Sequence, residues 1–162
     1  MEIRAARAAD DSAIWTVLEP IIRAGEAYAL PRDWSRDAAL AYWHAPGHEV
    51  FVAEDAGAIV GTYFLCANRL GGGAHVANAG YATAQDTQGK GVARAMCEHS
   101  MIHARERGFR AMQFNFVIAT NTRAVALWQK MGFSIAGTLP GAFDHPTAGY
   151  VDALVMYRNL SP

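Results

Sequence analysis

The sequence predicts a single α/β unit over residues 1–162, and three observations carry that prediction. Runs with strand-like alternation and runs with helical periodicity succeed each other, with no linker, repeat or low-complexity segment between them. Tyr81 to Met96 reads as a strand, a polar turn holding two glycines, and a helix. Ala111 to Phe133 reads the same way, a strand-like run followed by a capped amphipathic helix. A chain of 162 residues is long enough to bury a core.

The elements follow in order. Glu2 to Ala6 opens with a strand, and Asp10 to Ala27 places Ile14, Val17, Leu18, Ile21 and Ile22 on one helical stripe. Pro20 is expected to interrupt that helix, because proline lacks the backbone donor and crowds the preceding turn. Gly25 to Trp34 is a loop, and Ser35 caps a second helix through Trp43. Val50–Glu54 and Ile59–Ala67 flank Asp55-Ala56-Gly57, a hairpin turn. Ala74 to Thr83 is the central strand, and Val92 to Arg107 the helix after it, stopped by Gly108. Ala111–Ile118, Phe133–Leu139 and Tyr150–Arg158 bring the count to about seven strands, with Pro140 to Thr147 as the loop between the last two. Between the first two of these, Asn121 caps a helix whose Ala124, Leu127, Trp128 and Met131 share a face, and Gly132 ends it. In the final strand Val151, Ala153, Val155 and Tyr157 alternate with Asp152, Leu154 and Met156, so both faces carry apolar groups. Cover on both sides is expected, and with it a homodimer.

Composition removes several classes of function. Apolar residues make up 52% and the formal charge is −1, which argues against a nucleic-acid footprint or a polybasic membrane patch. No apolar run approaches the ~20 residues that span a bilayer, and the N-terminus has no charged segment followed by an apolar one. Cys66 and Cys97 are isolated and read as reduced thiols, so the expected location is cytoplasmic. His99 and His103 lie one helical turn apart without the glutamate pattern of a zinc helix, and no metal is expected.

Chemistry concentrates at the glycine junction. Glycines after a strand let a ligand approach the backbone, and the helix that follows offers unpaired N–H groups and a positive dipole end, a site for phosphate. A nucleotide P-loop is ruled out because no hydroxyl residue follows Lys90. A dinucleotide fingerprint is disfavoured because Arg94 stands where a small residue is needed. Gln88, Gly91 and Ala93 do satisfy Gln/Arg-x-x-Gly-x-Gly/Ala. One helix and one strand later comes Asn121-x-x-Ala124-x-x-x-Trp128, then Gly132-Phe133. With these two motifs in this order, the chain resembles the GNAT-superfamily N-acetyltransferases over essentially its whole length.

That resemblance implies a GNAT-like α/β (α+β) fold, a central mixed, mostly antiparallel sheet of about seven strands with helices on both faces. It implies an acyltransferase with acetyl-CoA as co-substrate, transferring by direct attack in a ternary complex. Gln88, Gly89, Lys90, Gly91, Val92, Ala93 and Arg94 would hold the pyrophosphate, and Tyr81, Ala82 and Thr83 would run beside the pantetheine arm. Asn121, Ala124 and Trp128 would border the same cofactor. Backbone N–H groups near Thr83, where the central strand parts from its neighbour, would polarise the thioester. Trp128 departs from the family pattern, which has tyrosine there. An indole N–H does not give up its proton, so protonation of the thiolate is left to water or to no group at all.

Asn78, Asn115 and Asn121 point toward the acceptor. Their spacing, and the tail from Gly141 to Tyr157, resemble the proline-analogue (azetidine-2-carboxylate) acetyltransferases of yeast. The resemblance implies contacts to the amino and carboxyl groups of a small amino or imino acid. The bland alternative gives Asn121 to helix capping and Asn115 to a buried hydrogen bond. By strand parity Asn78 and Thr83 face opposite ways. His75, Glu26, Asp144 and His145 are general-base candidates with nothing to single one out, while Tyr28, Trp34, Tyr42 and Trp43 read as core and loop packing. The rival functions are a non-catalytic coenzyme A-binding module and a protein N-terminal or lysine acetyltransferase. Near-neutral charge and the bulky Gly25–Trp34 loop argue against a long peptide groove.

Overall fold

A computed structural model describes residues 1–161; Pro162, the last residue of the expected unit, lies outside them. The strands are β1 (Glu2–Ala5), β2 (Glu49–Asp55), β3 (Ala58–Ala67), β4 (Val76–Thr83), β5 (Ala111–Ile118), β6 (Ser134–His145) and β7 (Gly149–Asn159). They form one 7-stranded sheet in the order β1-β2-β3-β4-β5-β7-β6. Neighbours are antiparallel except β4 and β5, which run parallel, so the expected mixed, mostly antiparallel sheet is present. The helices are α1 (Asp11–Ala24), α2 (Arg36–Trp43), α3 (Val92–Glu106) and α4 (Thr122–Lys130). At the β2–β3 hairpin Ala56 (φ 49°) and Gly57 (φ 81°) are both left-handed, the turn whose twist suits two antiparallel strands.

The pleat sorts the core into two layers. Val52, Phe64 and Ala82 face Ile14, Val17, Leu18 and Ile22 of α1 and Trp43 of α2. Tyr63, Leu65, Ala77, Ala79, Met112 and Met156 face the other way, against Met96, Cys97 and Met101 of α3 and Trp128 of α4. Each fully buried aliphatic side chain contributes about 1.5–3 kcal/mol. The one buried polar hinge in the first layer is satisfied: Thr62 Oγ1 accepts from Trp43 Nε1 at 3.0 Å and donates to Phe51 O at 2.9 Å. Arg4 ties the sheet edge to α1, reaching Asp10 at 2.8 and 2.9 Å and Glu54 at 2.9 Å. The paired guanidinium holds the Asp10 carboxyl down at about 2.

Two expectations are corrected. α1 runs straight through Pro20 and stops at Ala24, where Gly25 adopts φ 66° and donates to Ile21 O. Burial of Ile14, Val17, Leu18 and Ile22 on both sides of the proline outweighs the one backbone bond it removes. The Pro140–Thr147 loop is largely strand, because β6 extends to His145 and only residues 146–148 turn. Pro140 is tolerated there because β6 is an edge strand whose register shifts between Leu139 and Phe143, and Gly141 N–H donates to the Asp152 carboxylate at 2.9 Å. β7 lies inside the sheet between β5 and β6, with Leu154 and Met156 in the core on one face and Val151, Val155 and Tyr157 half-buried on the other.

Candidate active site

The sheet is open at its centre. β4 and β5 pair only at Val76–Ala111 and Ala77–Met112, and beyond those residues they diverge. Asn78 sits at the vertex, its Nδ2 donating to Gln113 O at 2.9 Å. β5 also bulges, since Phe114 pairs with Met156 and Val117 with Leu154, leaving Asn115 and Phe116 opposite the single residue Val155. The strands therefore part at Asn78, five residues before Thr83, where the parting was expected. The cause is the bulge, which no alternation pattern in the sequence announces.

The edge of β4 that faces this gap is defined by its other edge. Asn68 N–H bonds Val76 O and Ala84 N–H bonds Val60 O, so even-numbered residues spend their peptide groups on β3. Ala79, Tyr81 and Thr83 turn theirs into the gap. Tyr81 O is met there by the Tyr28 hydroxyl, which donates at 2.7 Å. Of the three residues expected beside the pantetheine arm, Tyr81 lines the cleft, Thr83 lies farther along the same edge, and Ala82 is turned away. The Ala82 side chain is buried under α1 and α2, and its peptide groups belong to β3.

At the open end of the gap lies the glycine loop. Gly89 (φ 80°) and Gly91 (φ 81°) are left-handed, and a Cβ on either would meet nothing within 4 Å. Gly91 caps α3 without a side-chain hydrogen bond, and the first intrahelical bond runs from Ala95 N–H to Gly91 O. The N–H groups of Val92, Ala93 and Arg94 are left for a ligand. Lys90 is exposed, Arg94 pairs with Glu98 at 2.9 Å, and Gln88 accepts from Arg123 at 2.8 Å, which links the loop to α4. An open glycine cradle, an uncapped helix end and a strand edge with unpaired peptide groups fit a diphosphate joined to an amide-bearing arm, the chemistry of acetyl-CoA.

A cleft of about 260 Å³ passes through the sheet. Asn78, Asn115 and Asn121 all line it, as do Tyr81, Ala124 and Trp128. Asn115 Oδ1 accepts from Gln113 Nε2 at 3.0 Å, and Asn121 Oδ1 caps α4 by accepting from Ala124 N–H at 3.3 Å. Trp128 is 8% exposed and packs on Tyr81 and Phe114, with ring centroids 5.1 and 5.0 Å away. Tyr81 points its hydroxyl into the core, 2.6 Å from Ser100 Oγ. Burial pushes the Tyr28, Tyr42 and Tyr81 hydroxyls up from the ordinary phenol range, so all three stay protonated at neutral pH.

None of Glu26, His75, Asp144 and His145 lines the cleft. His145 Nδ1 is used in its own turn, accepting from Thr147 and Ala148 N–H. His99 and His103 are structural: His99 Nδ1 meets the Tyr63 hydroxyl at 2.7 Å and His103 Nε2 meets Glu49 at 2.9 Å. Among the described residues no group of His, Cys, Asp and Glu is placed to hold a metal ion. Trp34 and Trp43 pack as expected, but Tyr28 and Tyr42 turn out to wall the cleft.

Sequence reasoning also missed Gln113, Phe64 and Gly80. A Cβ at Gly80 would fall 2.5 Å from the Phe64 ring and 3.1 Å from the Tyr28 hydroxyl. A glycine inside an apolar strand was the one readable signal of that close approach.

The model of the acetyltransferase (GNAT) family matches residues 15–133. A GCN5-related N-acetyltransferase from Kribbella flavida is 43% identical, with a TM-score of 0.92 over 98% of this chain and 96% of that one. A phosphinothricin acetyltransferase from Sinorhizobium meliloti, solved with acetyl-CoA, is 22% identical with a TM-score of 0.86 over 99% and 88% of the two chains, a likeness of fold. The N-acetyltransferase aca1 of Schizosaccharomyces pombe is 30% identical over 98 residues, 60% of this chain and 47% of that protein, so the match spans about half of that relative. With the family model covering β2 to β5 and both motif helices, the chain belongs to the acetyltransferase (GNAT) family.

Proposed function

We propose that residues 1–162 act as one unit that transfers the acetyl group of acetyl-CoA to the amine of a small molecule, by direct attack in a ternary complex. The observation that carries this reading is the cleft where β4 and β5 part, lined by Tyr28, Tyr42 and Phe64, with the glycine loop following β4 in the chain. Acetyl-CoA supplies the activated acetyl thioester. The chain's own work is then electrostatic and positional. Val92, Ala93 and Arg94 N–H groups hold the diphosphate, with Lys90 near enough in sequence to add charge. Tyr81 N–H, directed into the gap, donates to the thioester oxygen where negative charge develops. Asn78, Asn115 and Asn121 surround the incoming amine. No lining residue is a base, so the amine arrives neutral and loses its proton to water. Trp128 serves as packing, and the thiolate departs without a proton from the chain.

Within that class, the resemblance to proline-analogue acetyltransferases favours an amino or imino acid, and the lining of the cleft favours a different member. A cytoplasmic location is supported by Cys66 and Cys97, both free thiols. A homodimer is supported by the exposed edge strand β6. The test of the central reading is free-thiol release from acetyl-CoA across a panel of small amines and short peptides. Thiol release that depends on a small amine supports it. Tight acetyl-CoA binding without transfer would point to a coenzyme A-binding module, and transfer confined to peptides would overturn the small-molecule acceptor.

A further inference from the structure

We infer that the acceptor is an amine without a carboxylate, carried on an apolar or aromatic body. This rests on the small-molecule reading above and narrows it. Among the described residues, the lining of the cleft contains no Asp, Glu, Lys, Arg or His. Its acceptor side is walled by Tyr28, Leu30, Tyr42, Phe64 and Phe116. Tyr42 stands edge-on to Phe64, centroids 6.1 Å apart at 90°, a surface suited to an apolar or ring-bearing body.

The polar atoms left open in this chamber are set by the bonds already made. Gln113 O can only accept, so Asn78 must present Nδ2 to it and leave Oδ1 toward the cleft. Tyr81 O can only accept, so Tyr28 gives it the hydroxyl proton and keeps its own lone pairs. Both open atoms are acceptors, matched to the N–H groups of an amine. The donors that remain, the Asn115 and Asn121 amides, the Tyr42 hydroxyl, the Trp128 indole and the gap-facing peptide N–H groups of β4, are all uncharged. A carboxylate brought into this space would lose its hydration with no cation to replace it. Arg32 of the neighbouring loop is outside the lining and folds back on α1, its Nε donating to Arg23 O at 2.8 Å while the Arg23 guanidinium donates to Arg32 O. A second ammonium would fare no better, for want of any acid. In the transfer the amine nitrogen bonds to the acetyl carbon, the C–S bond breaks with its electron pair on sulfur, and the nitrogen's proton passes to water at the open mouth.

The experiment is steady-state acetyl transfer to two matched series: phenethylamine, phenylalanine and phenylalanine amide, then pyrrolidine, proline and proline amide. Rates are referred to the unprotonated amine. Each parent amine and each amide should exceed its amino acid in kcat/KM by at least about tenfold, the mark of an uncompensated buried charge. Amino acids that match or surpass their amines overturn the inference and leave the small-molecule reading standing. Amides as poor as the acids also overturn it, because shape and not charge would then exclude them. No transfer to any member of either series, alongside transfer to peptides, removes the small-molecule reading itself.

Discussion

Two side chains decide how the cleft does its work. Trp128 packs between Tyr81 and Phe114 and offers no acidic proton. Trp128→Phe should keep turnover within about tenfold of the parent, the loss reflecting packing, whereas removal of a proton donor costs on the order of a hundredfold or more. Steady-state rates at saturating acetyl-CoA distinguish the two. Asn115 hangs from the bulge of β5 and spends only its oxygen on Gln113. Asn115→Ala should weaken acceptor kcat/KM by about 1–3 kcal/mol, the cost of an unpaired polar partner, with acetyl-CoA affinity by calorimetry close to the parent. Equal losses for both substrates, or a lower melting temperature with intact kinetics, would make the residue structural only. The three asparagines were legible in the sequence as polar residues on apolar elements. Their convergence was not, because it depends on where β4 and β5 separate, and that depends on one extra residue in β5 opposite Val155.

Elements read well where local signals are strong and poorly where packing overrides them. Ser35, Asn121 and Gly108 marked helix ends that the structure keeps, while Pro20 and Pro140 sit inside elements that neighbouring strands and helices hold together. The α3 N-terminus gives a direct test. Gly91 is left-handed, so a β-branched residue there is strained by about 1–2 kcal/mol, yet its Cβ would enter space the chain leaves open. Gly91→Val should lower the melting temperature modestly and weaken acetyl-CoA binding by calorimetry; unchanged affinity would place the diphosphate elsewhere. At the other end of the sheet, Asp10 is held at about 2 by Arg4, below its unfolded value of 3.8. A depressed carboxyl stabilises the fold above the unfolded value and loses that contribution as pH falls through the folded one. Thermal melts should show the parent losing stability from about pH 4 down to about pH 2 more steeply than Asp10→Asn, which starts lower and changes less. Parallel acid profiles for the two proteins would refute this.

For the molecule as a whole, the question is what covers β6. Its outer edge carries no strand, and Leu139 and Tyr150 are 41% and 79% exposed beside it. A long, exposed edge is a template for a second copy. Light scattering at micromolar concentration should report a dimer, and Leu139→Lys a monomer; a monomeric parent ends the idea. Within the sheet, β4 and β5 are joined by two residue pairs and the Asn78 amide, while the core layer under α3 and α4 packs across both halves. Beyond those pairs the peptide groups of Ala79, Tyr81 and Thr83 face the gap without a strand partner. A ligand laid along the Ala79–Thr83 edge would do more than fill a slot: it would stand where a strand partner is missing, as a removable eighth member of the sheet.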